Sequence, residues 1–246
     1  MIISVIIGAI TIAFLSTVLI ATFYQAPSCT DGLQNQGEAG IDCGGSCAYL
    51  CAADEQPPTV LFAKALSNGA GRASVIASVE NKNASVAAKD VPYRVRLYGA
   101  GRSLIQEVTG TLDLPPGATI PVFIPSITSG KQVVVATFFD IDPSSPKWFQ
   151  MSDDPRILPR VSSTKQGGTS SAPRIEATLV NSSTNMLSNV ETIVLVRDEK
   201  GDVIAASRTI VSAIPAGGQS TATFTWNSAF PGIPASIEVV PVIPLP

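Results

Sequence analysis

The chain of 246 residues carries 16 Lys and Arg against 19 Asp and Glu, a net charge of −3, and no histidine. The near-neutral balance excludes the basic face of a nucleic-acid binder, and the missing histidine removes the commonest general base and metal ligand together. Charged residues make up 14% of the chain, well below the roughly 25% of an average soluble domain, and Ser, Thr, Asn, Gln and Gly stand in their place.

Residues 1–24 are apolar or hydroxyl-bearing and carry no charge. About 20 apolar residues at ~1.5 Å rise span the ~30 Å hydrocarbon core of a bilayer, so residues 1–25 read as a transmembrane helix and predict a single-pass cell-membrane protein. A cleavable signal peptide is the rival reading, but it wants a basic n-region, and here Met1 is followed directly by Ile2. Ala9, Ala13, Thr17 and Ala21 recur every four residues and form a stripe along which another helix can approach closely. No Lys or Arg occurs before Lys64, so flanking charge sets no orientation.

All four cysteines, Cys29, Cys43, Cys47 and Cys51, fall in the next segment, residues 26–57. Glycine-rich and polar, this segment builds no core. An even cysteine count confined to a short loop predicts two disulfides in an oxidising space, which places the C-terminal domains outside the cytoplasm. A four-cysteine zinc site is the alternative, but the spacing x13, x3, x3 lacks C-x2-C knuckles. Which of the three pairings forms is not readable from spacing.

The run CTDGLQNQGEAGIDCGGSC, residues 29–47, resembles a C-x-DG-x-x-N-x-x-E-x-G-x-DCGG-x-C module of bacterial surface proteins. Asp31, Asn35, Glu38 and Asp42 are oxygen ligands of the kind Ca²⁺ takes, and a disulfide-closed loop would hold them. The competing reading makes Asp31 and Asn35 Asx-turn residues and leaves Glu38 and Asp42 solvated.

Beyond the connector AADEQPP the chain turns to short strands separated by Gly and Pro turns, including ASVIASVEN (73–81), VPYRVRLY (91–98) and QVVVATFFD (132–140). These alternate with period two and predict an antiparallel β domain. The succession returns about a hundred residues later. Asn81 is answered by Asn181, RVRLY (94–98) by IVLVR (193–197), Gly101 by Gly201 and Pro115-Pro116-Gly117 by Pro215-Ala216-Gly217, while residues 60–63 are matched to 157–160. The expected fold is mainly β: an N-terminal hydrophobic transmembrane helix (1–25), a small disulfide-rich module (26–57) and two tandem immunoglobulin-like β-sandwiches (58–150 and 151–246).

An Asn-rich turn after a strand (Val79-Glu80-Asn81, Leu179-Val180-Asn181), a V-x-L-Y-like strand, a Gly hairpin and a Pro-Gly turn resemble the FxLYD and late-embryogenesis-abundant-like sandwiches. The first copy has Leu97-Tyr98 followed by Gly99 in place of Asp; the second has Asp198 behind Val196-Arg197. With the cysteine module, the chain is similar to membrane-anchored extracytoplasmic proteins of candidate-phylum-type bacteria. That resemblance implies a location and no reaction.

Between the copies, Pro143, Pro146 and Pro155 predict a stiff joint. Trp148 and Trp226 read as packing residues, since tryptophan is highly buried on average, and residues 165–172 (KQGGTSSA) read as a mobile loop. Asp153-Asp154 reads as a surface turn, and Asn83-Ala84-Ser85 and Asn181-Ser182-Ser183 as turns in spite of matching a glycosylation pattern. No G-x-S-x-G, P-loop or G-x-G-x-x-G motif occurs. The functional expectation is a non-enzymatic surface protein whose sandwiches contact a protein or surface polymer. Its alternative is a homo-oligomer or pilin-like filament with residues 1–24 in the fibre core, and a solute-binding receptor or hydrolase comes third.

Overall fold

The computed structural model describes residues 2–23, 28–35, 37–69, 71–128, 130 and 132–246. It is mainly β, with 52% strand and 9% helix, and divides into two compact units, Met1–Tyr49 and Leu50–Pro246.

The first unit contains α1, Ile2–Phe23, and the cysteine loop. Along α1 the hydroxyls of Thr11, Thr17 and Thr22 donate back to the carbonyls of Ile7, Ala13 and Val18 at 2.9, 2.8 and 2.7 Å, satisfying these hydroxyls within the helix itself. The expectation of a membrane anchor over residues 1–24 is corrected. Among the described residues no helix is long and apolar enough to cross a membrane. The single-pass membrane localisation falls with it.

In the loop that follows, Cys29 is bonded to Cys47, with Cα atoms 5.7 Å apart. Cys43 and Cys51 are disulfide-bonded as well, so no described cysteine is free. The loop's backbone closes on itself through a Gly40–Cys43 bridge and the bond from Cys47 N–H to Gly44 O, 3.0 Å. Cross-links of this kind contribute about 2–4 kcal/mol each where no core exists to do so.

Among its described residues the second unit holds thirteen strands in four sheets. Strands β1 (Thr59–Ser67), β2 (Arg72–Glu80) and β5 (Thr119–Thr128) form one sheet in the order β1-β2-β5. Strands β3 (Val86–Tyr98), β4 (Leu104–Leu114) and β6 (Ala136–Ile141) form a second, β4-β3-β6, to which β7 (Trp148–Gln150) adds on β3. The later half repeats the pattern with β8 (Arg160–Thr169), β9 (Ala172–Val180) and β12 (Gln219–Thr225) in one sheet. Its other sheet holds β10 (Leu187–Arg197), β11 (Val203–Ile214) and β13 (Ser236–Val242), in the order β11-β10-β13. Every pairing is antiparallel.

Alternation along each strand builds the cores. In β2, Val75, Ala77 and Val79 point into a first core with Val95, Leu97, Leu114 and Trp148. In β10, Val190, Val194 and Val196 point into a second with Ile175, Leu179 and Phe224. The opposite faces of these two strands meet in a third cluster, where Ile76 of β2 packs with Ile193 and Leu195 of β10, flanked by Phe62, Phe123, Val240 and Val242. Both strands are thus buried on two faces, and β2 is buried at every position from Ala73 to Val79. Burying side chains of this size contributes about 1.5–3 kcal/mol each. The fixed relation of the halves comes from this face-to-face packing, whereas the sequence pointed to a stiff proline joint.

Three local expectations also shift. Part of the joint is strand: β7 pairs with β3, Ala88 opposite Trp148 and Val86 opposite Gln150. Residues 165–172 are a paired hairpin, Lys165 opposite Glu176 and Thr169 opposite Ala172, because pairing with β9 satisfies backbone groups that a loop would leave to water. The partner of residues 60–63 lies near 161–163, since the bulge between Val60 and Phe62 in β1 recurs between Val161 and Ser163 in β8.

Candidate functional site

The four residues proposed for calcium come together in the cysteine loop, where they serve the loop's own backbone. Asp42 Oδ1 accepts from Asp31 N–H (3.0 Å) and Gly32 N–H (3.2 Å). Asp31 accepts from Leu33 N–H and from the Asn35 amide, 2.9 Å each, and these two donors hold its carboxyl below the usual aspartate value. Glu38 Oε2 accepts from Asp42 N–H at 3.2 Å and Asn35 N–H at 3.4 Å. Its Oε1 lies 3.1 Å from Sγ of Cys47, a disulfide sulfur that carries no hydrogen. Cys29, Cys47 and Glu38 present atoms within 4.8 Å of one another, but sulfurs joined to each other are not the thiolates a metal needs. Asn35 Oδ1 is buried without a hydrogen-bond partner.

Of the helix stripe, Ala13 and Thr17 are exposed, while the side chains of Ala9 and Ala21 lie outside the described residues. The surroundings of the stripe are more informative than the stripe. Ile6, Ile7, Ile10, Ile12, Phe14 and Leu15 all lie more than half exposed, and Val18 and Leu19 continue the surface. Apolar side chains therefore face outward all round the helix.

Trp148 is fully buried, and its carbonyl accepts from Leu50 N–H at 2.7 Å. Trp226 is half-buried and meets Phe230 edge to face at 5.0 Å. Asp154 and Asp153 do not form a carboxylate pair. Asp154 accepts from Arg156 Nε and Nη2 at 2.9 and 2.7 Å, and Arg156 Nη1 donates to Ile243 O at 2.6 Å. The clamp fastens the chain end to the connector between halves. Arg156 also holds the Asp154 carboxyl below its ordinary value.

The two asparagines singled out by spacing are the polar centres of the two halves, 1% and 0% exposed. Asn81 Nδ2 donates to the carbonyls of Val86, Leu114 and Pro115 at 2.8, 3.3 and 2.8 Å; Asn181 Nδ2 donates to those of Asn185, Ile214 and Pro215 at 2.7, 3.2 and 3.1 Å. Asn81 N–H donates to Ala118 O, and Asn181 N–H to Gly218 O, both at 2.9 Å. Each asparagine ties the turn after one strand to the turn before another. Of the two glycosylation-pattern asparagines, Asn83 is 6% and Asn181 0% exposed, so neither is surface-exposed as a sugar acceptor must be.

The end of the β4-β3-β6 sheet is a region that sequence reasoning missed. There Arg96, Tyr98, Gly101, Arg102, Val135 and Phe138 surround a depression of about 560 Å³. Its signal was present in RVRLY, whose alternate residues Arg94, Arg96 and Tyr98 share the face opposite the core.

No family model matches the chain, and no curated protein matches it. Among solved structures it is similar to a red sea bream transglutaminase, with TM-score 0.26 and 12% identity over 71% of this chain and 27% of that one. It is also similar to a β-glucuronidase from glycoside hydrolase family 2, with TM-score 0.22 and 13% identity over 86% and 26%, and to the coconut allergen cocosin, with TM-score 0.14 and 9% identity over 71% and 84%. The chain spans about a quarter of the length of the first two. Likeness at these scores carries no argument about activity.

Proposed function

We propose that the protein is a non-enzymatic scaffold subunit, in which copies associate through α1 and the two β-halves, each an immunoglobulin-like sandwich, form the stiff displayed body that contacts protein or polymer. The observation that carries this reading is the outward apolar surface of α1. A helix hydrophobic all round is stable only when covered, and an exposed apolar patch of this size marks an interaction surface. Association of copies covers such helices in one another. The matching hydrogen bonds of Asn81 and Asn181 support two copies of one sandwich, and the packing of Ile76 on Ile193 and Leu195 supports a body that keeps its form under load.

Light scattering and negative-stain microscopy on the full chain test the proposal against a variant with Ile10→Glu and Phe14→Glu. The wild-type chain is expected as high-mass particles or fibres, and the variant as single chains with an unchanged melting temperature for the β body. Wild-type protein running as monodisperse single chains at the same concentration would overturn it.

A further inference from the structure

The depression at the end of β4-β3-β6 has a counterpart in the other half, and that counterpart is filled. Tyr98 of β3 stands where Arg197 stands in β10, and Phe138 of β6 where Glu238 stands in β13, as the registers Arg96 opposite Phe138 and Leu195 opposite Glu238 require. At the filled end, Arg197 is paired with Glu238 at 3.4 Å. Its guanidinium also lies 5.4 Å from the centre of the Phe62 ring, an aromatic side chain brought in by the neighbouring sheet. The same sheet face thus already receives an aromatic ring against a guanidinium within this chain.

The open end has the same ingredients with nothing laid on them. Tyr98 and Phe138 meet edge to face at 5.7 Å, leaving Phe138 52% and Val135 63% exposed. Two guanidinium groups stand beside this apolar wall with donors to spare. Arg96 Nη2 holds Asp140 at 2.8 Å, and its side chain, 36% exposed, borders the depression. Arg102 forms no ion pair among the described residues. Its backbone is held at φ 62°, a conformation a non-glycine residue adopts at a cost. A volume of about 560 Å³ lies within the range of small-molecule sites, which are apolar with a few convergent polar groups.

We infer that this depression binds a small aromatic carboxylate, its ring against Tyr98 and Phe138 and its carboxylate accepting from Arg96 and Arg102. Fork-shaped guanidinium donors match a carboxylate's two oxygens, and the aromatic wall matches the ring that the other half receives from Phe62.

Phenylacetate and its uncharged isostere phenylacetamide are the probes, titrated into the full-length Ile10→Glu/Phe14→Glu chain and followed by amide chemical shifts. Phenylacetate is expected to saturate in the millimolar range, as suits so few heavy atoms, with the largest shifts at Gly99, Gly101 and Ala136. Phenylacetamide should bind at least about tenfold more weakly. Arg102→Gln should weaken phenylacetate about tenfold without moving the melting temperature, and Phe138→Ala should weaken both probes alike. Equal affinity for acid and amide, shifts away from this end of the sheet, or no saturation by phenylacetate would each overturn the assignment. An aromatic-ended peptide binding through its terminal carboxylate, with phenylacetate inert, would overturn the small-molecule form as well.

Discussion

The two halves of the β body share strand order, the β1/β8 bulge and the buried asparagine, yet they meet through unlike sheets. The first half offers β1-β2-β5, the second β11-β10-β13. Each half therefore has one sheet buried on both sides and the equivalent of its partner's buried sheet left open. Residues at matched places follow that division. Ile76, buried at the contact, is answered in the open β9 by Glu176, and Ile193 and Leu195 are answered in the open β3 by Arg94 and Arg96. The open faces carry ion pairs along the sheet, Arg94 with Glu107 and Arg174 with Glu176. A contact between unlike faces can in principle be continued indefinitely. Charges on both open faces oppose that, because burying them without partners is costly.

The largest expected effect comes from erasing this difference. Ile76→Glu gives β2 the residue of its open counterpart and places a carboxylate among Ile193, Leu195 and Ala206. An unpaired buried charge of this kind costs on the order of 3–5 kcal/mol, so the halves should separate and one cooperative melting transition should become two. A single transition shifted by less than a degree would show that the third cluster does not hold the halves together.

Next in size are the asparagines, where the halves agree and the comparison can be sharpened. Asn81→Ala and Asn181→Ala each strand buried carbonyls, which costs about 1–3 kcal/mol. The first should cost more. Asn81 Oδ1 also accepts from Asn83 Nδ2 at 3.0 Å, and Asn83 binds Gln56 by both its oxygen and its amide, whereas Asn181 Oδ1 accepts from Ser183 alone. Urea unfolding of the two variants measures the difference directly; equal losses would mean that the link to Gln56 contributes nothing.

Much of this was legible in the residues and some was not. Period-two alternation in ASVIASVEN and IVLVR marked real strands, and the hundred-residue recurrence of Asn, Pro and Gly marked turns that make the same hydrogen bonds. Alternation alone does not say that both faces of β2 are covered: Ser74 and Ser78 look solvent-facing until they are seen flanking Ile76, 3% and 6% exposed. The three-residue β7 is too short to show a period, and its place was hidden by the prolines around it. In residues 165–172 the glycines suggested a loop, yet Gly168, at φ 79°, is what lets the hairpin turn. The depression beside Tyr98 was hidden because its residues come from separate segments, 96–102 and 135–138, and only the sheet register joins them. Apolarity over residues 1–24 was plain, but apolarity does not name what covers a helix.

The smallest expected effect belongs to the clamp that only the second half has. Arg156 bridges Asp154 and the carbonyl of Ile243, next to the chain end where Leu245 is buried beside Ala87 and Met151. Because Arg156 lowers the Asp154 pKa from 3.8, the folded state binds this proton less readily than the unfolded chain. The clamp's contribution is then complete above pH 3.8 and is lost as pH falls through the lowered folded value. Asp154→Asn should remove that part of the acid destabilisation. Its stability should lie slightly below wild type at neutral pH and converge with wild type once the aspartate is protonated. The Asn81 and Asn181 networks contain no titrating group and should not respond. Melting curves of wild type and Asp154→Asn from neutral pH to below the aspartate range check this, and parallel curves with a constant offset would show that the ion pair does not couple to folding.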